Sequence, residues 1–233
     1  MYHSIGGNCI SETGAGLYCV PKDKFREQMI FIKQGQSPAG TVPVLTFDDG
    51  LEDNFINAYP ILKELGLKAY FFVIAGKIGT PEYMGWEQLK ELSNAGMIIG
   101  SHGMTHRVLT NLNIDDLAFE IWESKKTIEN KLGIPVKYFS VPKGYYNKKI
   151  TYAIKKAGYK KMFTSDLDKN KEFATGRIAV RADWDEDYFK QVVTKGVPLK
   201  GRIIDQIKKS AKKLFGNVFY HNFRETVLIK NKR

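Results

Sequence analysis

Val42-Pro43-Val44-Leu45-Thr46-Phe47-Asp48-Asp49-Gly50 is an apolar run of strand length that ends in two adjacent carboxylates and a glycine. A short apolar run bounded by turn residues reads as a buried strand. Asp-Asp-Gly alone would be an ordinary turn. At the end of a buried strand, however, two carboxylates are unfavourable unless something positive neutralises them. The run Met97–Gly100 ends in a similar way, in Ser101-His102-Gly103-Met104-Thr105-His106, with two imidazoles spaced i, i+4. The chain has only four histidines, so this pairing carries weight. The two stretches together can hold one divalent metal and leave a second carboxylate beside it. A metal with three protein ligands keeps a position for water, and a neighbouring carboxylate can take that water's proton. Hydrolysis is the expected chemistry. A two-histidine, one-carboxylate set also serves non-haem iron oxygenases, but hydrolysis gives a task to both aspartates.

On either side of these stretches, strand-length apolar runs alternate with helical patterns. Met1–Ser4 reads as a short strand and Pro21–Gln34 as a helix with proline in its first turn. After Val42–Phe47 comes a helix from about Asp53 to Gly66. Then come strand Lys68–Ile74, helix Trp86–Ala95 and strand Met97–Gly100. Asn113 caps a long helix that ends at Leu132 before Gly133. Strand Lys137–Val141, helix Asn147–Ala157, strands Lys161–Thr164 and Arg177–Val180, and helix Asp185–Lys195 complete the pattern. This βαβα order predicts a mostly parallel α/β sheet, either a barrel or an open doubly wound sheet. Asp48-Asp49, His102, Pro142-Lys143-Gly144 and His3 each fall just past the C-terminal end of a predicted strand. Barrels collect chemistry there from several strands, whereas a doubly wound sheet concentrates it at one switch point. An irregular barrel is expected.

The 233 residues suit one large domain, with 43% hydrophobic and 12% aromatic residues to fill its core. Cys9 and Cys19 lack ligand-like spacing and read as reduced thiols. The first residues show no basic and apolar leader, and no apolar run approaches the roughly 20 residues needed to span a bilayer. The expectation is a cytoplasmic protein, or an exported one if a native leader is missing from this sequence. The net charge of +11 is concentrated in the tail, where residues 190–233 hold twelve Lys and Arg against Asp205 and Glu225. Residues 1–195 are expected to form the catalytic domain and 196–233 a basic tail. Within the tail Ile203, Ile204, Ile207, Ala211, Leu214 and Phe215 share one helical face, away from Lys208, Lys209, Lys212 and Lys213. Such a helix suits peripheral contact with an anionic membrane, or packing on the domain. No nucleic-acid motif is visible.

Over roughly residues 1–190 the chain resembles the polysaccharide deacetylases, the NodB-like family 4 carbohydrate esterases. Thr46-Phe47-Asp48-Asp49-Gly50 matches the family's first motif without departure, and His102-Gly103-Met104-Thr105-His106 resembles the second, with Gly103 in place of the usual hydroxyl residue. The resemblance implies a distorted (β/α)7-type, TIM-like barrel. It also implies Asp48 as catalytic base and Asp49, His102 and His106 as ligands of Zn²⁺ or of Co²⁺, Ni²⁺, Mn²⁺ or Fe²⁺. The third motif departs from the family: Val141-Pro142-Lys143-Gly144 has a lysine where a ring is usual. It leaves the Lys143 amide and Gly144 as the oxyanion wall. Arg177 matches the arginine that orients the base in one branch of the family, with Arg181 in reserve. Met1-Tyr2-His3 looks like the opening of the same branch, whose strands are circularly permuted, which implies His3 as the general acid. His221, near the other end, is the alternative acid. Trp184 would line the sugar groove, as tryptophans do in similar proteins, or pack between strand and helix. The implied activity is removal of N-acetyl groups from an amino-sugar glycan, polymeric or lipid-linked. Alternatives are a deformylase or other C–N hydrolase of this fold, or a metal-dead carbohydrate-binding module.

Overall fold

A computed structural model describes residues 1–6, 16–35, 43–167 and 172–198. The chain starts with β1 (Ser4–Ile5), which pairs in parallel with β2 (Cys19–Val20), and continues into α1 (Lys22–Lys33) behind Pro21. There follow β3 (Leu45–Phe47), a π-helical turn Asn54–Ala58 running into α2 (Tyr59–Glu64), β4 (Ala69–Val73), α3 (Trp86–Asn94) and β5 (Ile98–Ser101). The expected long helix is α4 (Ile114–Ala118), a π-helical turn Phe119–Glu123 and α5 (Ser124–Leu132) in succession. Then come β6 (Tyr138–Ser140), α6 (Lys148–Lys156), β7 (Lys161–Thr164), β8 (Ala174–Gly176) and α7 (Glu186–Lys195). The caps read in the sequence are in place. The side chains of Asn113, Asn147 and Asp185 accept from the amides three residues on, and Gly133 ends α5 in the left-handed conformation.

Strands β3 to β8 form one six-stranded parallel sheet in sequential order. The N-terminal segment lies against both of its edges. The Tyr2 amide donates to Thr46 O at 2.8 Å, Asp48 N donates to Tyr2 O at 3.0 Å, and Val180 N donates to Met1 O at 2.9 Å. The sheet is therefore curled, with residues 1–2 between its first and last strands, as a (β/α)7-type barrel requires. Alternation sorts the side chains. Phe47, Phe71, Ile99, Phe139 and Met162 belong to the core that also holds Phe25, Met29, Leu62, Leu89 and Ile128 from the helices. Tyr70, Phe72, Tyr138 and Phe163 contact one another in a second aromatic group. The Arg177 guanidinium sits over the rings of Phe72 and Phe163, at 5.2 and 5.6 Å. That stack places Arg177 at the top of the barrel interior.

Two expectations need correction. Arg177–Val180 is not a strand; β8 covers Ala174–Gly176 instead, and beyond Arg177 the backbone turns its hydrogen bonds to Met1 rather than to β7. Cys19 is not a reduced thiol but disulfide-bonded; the chain's other cysteine, Cys9, lies outside the described residues. The basic tail beyond residue 198, its amphipathic pattern and His221 also lie outside them. Among the described residues no helix is long and apolar enough to cross a membrane.

Candidate active site

The turn after β3 is sterically demanding. Asp49 has φ +74° and Gly50 φ +77°, and a Cβ on Gly50 would stand 2.9 Å from Val73 Cγ1. Only glycine fits there, which accounts for Asp-Asp-Gly as a unit. Asp49, His106 (φ +64°) and Lys143 (φ +54°) all hold the left-handed conformation without being glycine. Such strain collects at functional sites.

Asp49, His102 and His106 are buried, and one ligand atom from each lies within 4.8 Å of the others. Both histidine Nε2 atoms stand 3.5 Å from Asp49 Oδ1. His102 Nδ1 is 2.9 Å from the Ser140 carbonyl. Nδ1 must carry the proton to donate there, which leaves the Nε2 lone pair facing the other two ligands. Burial is the main force holding the His102 imidazole down at about 4, against the opposing pull of Asp48, so it is neutral at ordinary pH. Neither oxygen of Asp49 has a hydrogen-bond partner. A buried carboxylate with no partner, beside two imidazoles, is a donor set for a divalent cation. The residues fit the metal that the sequence implied.

Asp48 is held quite differently. Arg177 Nη1 donates to Oδ1 at 2.7 Å and Nη2 to Oδ2 at 2.8 Å, in a bidentate pair. The Ser140 hydroxyl adds a bond to Oδ2 at 3.0 Å and accepts from Arg177 Nη2 at 2.7 Å, while Thr46 Oγ1 accepts from Nη1 at 3.1 Å. Burial would raise the Asp48 carboxyl, but the Arg177 charge and hydrogen bonds, with His102, hold it well below the usual carboxylate range. The two adjacent aspartates are thus set differently: Asp48 is paired with arginine, and Asp49 is left without a hydrogen-bond partner beside two imidazoles. Ser140 and Thr46 escaped sequence reading because a serine or threonine in a strand carries no signal of its own. Their positions facing the barrel interior follow from the alternation that places Tyr138 and Asp48.

One cavity collects Asp48, His102, His106, Arg177, Lys143 and Gly144, and also His3, Tyr18, Val141 and Ser165. His3 is 7% exposed and packs its ring on Tyr18 at a centroid distance of 5.1 Å. Its Nδ1 is buried without a partner, and its side chain lines the cavity. Burial holds this imidazole below its ordinary value, against the pull of Asp49 and Asp48. Asn54 Nδ2 donates to the His3 carbonyl at 2.6 Å, and Asn57 Nδ2 to that of Ile5 at 2.8 Å, so the turn after the aspartates fixes the histidine's strand.

Two expected residues are not in this group. Arg181 pairs with Asp183 at the surface. Trp184 does not line the cavity; it meets Tyr188 edge-on at 5.0 Å and packs against the core. Lys24 Nζ donates to the carbonyls of Ala182 and Trp184, tying that turn to α1.

Comparison with known proteins agrees with this geometry. The family model for polysaccharide deacetylases matches residues 35–162. The chain is 32% identical over 184 residues to the candidate polysaccharide deacetylase YxkH of Bacillus subtilis, covering 71% of this chain and 63% of that one. It is 28% identical over 187 residues to the poly-β-1,6-N-acetyl-D-glucosamine N-deacetylase of Staphylococcus aureus, with the same two coverages. It therefore spans somewhat under two thirds of these relatives' length. The Streptococcus pyogenes deacetylase PplD, solved in complex with acetate, superposes with a TM-score of 0.72 at 26% identity, over 83% of this chain and 96% of that one. With the family model spanning more than half of it and YxkH matching 71% of it, the chain belongs to the polysaccharide deacetylase family.

Proposed function

We propose that this domain removes N-acetyl groups from an amino-sugar glycan by metal-assisted hydrolysis, releasing acetate. The observation that carries the reading is the pair of adjacent aspartates in unlike settings. Asp48 is kept ionised by a bidentate arginine, and Asp49 faces two imidazoles with both oxygens unpartnered. The N₂O donor set suits Zn²⁺. Bound there, such an ion polarises the amide carbonyl and acidifies a water.

The chain's own residues supply the rest. Asp48 accepts the attacking water's proton, and Arg177 with Ser140 keeps that carboxylate oriented toward the ligand set, Oδ2 lying 3.9 Å from His102 Nε2. The Lys143 amide, in its left-handed turn, donates toward the carbonyl oxygen as charge develops. His3 gives a proton to the departing amine. His3→Ala should lower kcat by about 10²-fold or more with metal affinity unchanged, whereas His221→Ala should leave both alone. Equal turnover in wild type and His3→Ala would remove His3 from the mechanism.

Arg177 sets the working pH range. A base acts only when unprotonated, and Arg177 is the chief influence holding Asp48 low against burial. In Arg177→Met the burial stays while the guanidinium is gone, so the carboxyl rises. The acid limb of kcat/KM against pH should therefore move to higher pH. An unmoved limb would separate Arg177 from the base.

Acetate release from defined N-acetylated oligosaccharides, with N-formyl analogues beside them, tests the reaction and separates it from deformylation. For localisation, the disulfide at Cys19 favours the exported reading over the cytoplasmic one, because disulfides persist in oxidising compartments.

A further inference from the structure

We infer that Glu120 is the positioning residue that sets the histidine loop of the metal site. The inference rests on the reading of Asp49, His102 and His106 as metal ligands. Glu120 is fully buried, where a carboxylate is costly unless hydrogen-bonded on both oxygens. Its Oε2 accepts from the amides of Met104 and Thr105, at 2.8 and 3.0 Å. Its Oε1 accepts from the Thr105 hydroxyl and from Arg107 Nε, the latter at 3.2 Å. All four donors lie in residues 104–107, between and just beyond the two ligating histidines. Successive amides converging on one oxygen form an anion-holding nest, and here the anion is the protein's own.

Gly103 makes the arrangement possible. At φ +83°, a Cβ there would stand 2.7 Å from Glu120 Oε2. The carboxylate thus lies where a side chain at position 103 would begin. The same helix also reaches the start of the loop. Ser124 Oγ lies 2.8 Å from Ser101 Oγ, which accepts from Gly103 N at 3.1 Å. Glu120 itself belongs to the π-helical turn Phe119–Glu123, an irregularity that recurs at functional sites.

The consequence falls on the histidine loop. His106 sits in the left-handed region at the end of the loop that Glu120 clamps. Loss of the clamp lets His106 relax away from Asp49, and the site then binds metal less tightly.

Equilibrium competition for Zn²⁺ and the visible spectrum of the Co²⁺-loaded protein test this in wild type, Glu120→Ala, Glu120→Gln and Thr105→Val. Glu120→Ala should bind Zn²⁺ about 10–100-fold more weakly and alter the Co²⁺ bands. Glu120→Gln should recover most of the affinity, because its carbonyl oxygen can still accept the two amides. Thr105→Val removes one hydrogen bond and should cost about 5-fold. A folded Glu120→Ala with wild-type affinity and spectrum, and only a lower Tm, would overturn the inference. Should that variant fail to fold, unchanged affinity in Thr105→Val overturns it instead. A wild-type protein that takes up neither ion defeats the metal reading itself, and is seen before any variant is compared.

Discussion

Asp48→Asn is expected to lower acetate release by about 10³-fold or more while the protein still takes up one divalent ion. The amide cannot accept a proton at working pH, so the loss is that of a general base, for which about 10²–10⁴ is usual. The three ligand side chains are untouched, so metal content should match the wild type. Asparagine also leaves Arg177 as a buried cation with no counter-charge, since Asp48 and Arg177 side chains are only 4% and 7% exposed. Removing one partner of a buried pair costs about 3–5 kcal/mol, so a fall in Tm should accompany the loss. Circular dichroism must show the fold intact for the result to count. Near-wild-type turnover in a folded variant would exclude Asp48 as the base.

Removing a ligand should be as severe and should differ in kind. Asp49→Ala and His106→Ala should each abolish both metal uptake and turnover, and added metal should restore little. The metal-free protein has its own pH signature. His102 titrates at about 4 in the fold, burial being the main cause, against 6.5 when unfolded. The unfolded chain therefore binds the proton first. The contribution of neutral His102 is fully present above pH 6.5 and is lost as pH falls toward 4. Chemical denaturation of stripped protein across that range should show stability dropping with pH, and bound Zn²⁺ should offset the drop near neutrality. A flat profile would mean that His102 is not held neutral by burial.

These outcomes concern residues that were legible in the sequence. Asp48, Asp49, His102 and His106 stand at the ends of β3 and β5 because each strand has a plain apolar run before them. A parallel barrel directs such ends to one face. The order of the six strands follows from the same alternation. What escaped notice was set by contacts distant in sequence. Arg177–Val180 alternates like a strand, yet the hydrogen bonds of Val180 go to Met1, so the ladder with β7 lies at Ala174–Gly176 instead. The contacts of Trp184 with Tyr188 and Lys24 are likewise set by the fold. The bond at Cys19 could not be read from two cysteines ten residues apart. Glu120 was invisible for a simpler reason: an acid inside an amphipathic helix reads as a solvated face. Only the fold shows that it is turned inward to residues 104–107.

In the proposed reaction a metal held by Asp49, His102 and His106 and a base at Asp48 together cleave an N-acetyl group. Acetate release from N-acetylated glucosamine oligosaccharides tests it most directly, measured on one preparation before chelation, after chelation and after Zn²⁺ is returned. The geometry predicts release that vanishes on stripping and returns with the metal. Release that survives complete removal of the metal would contradict it.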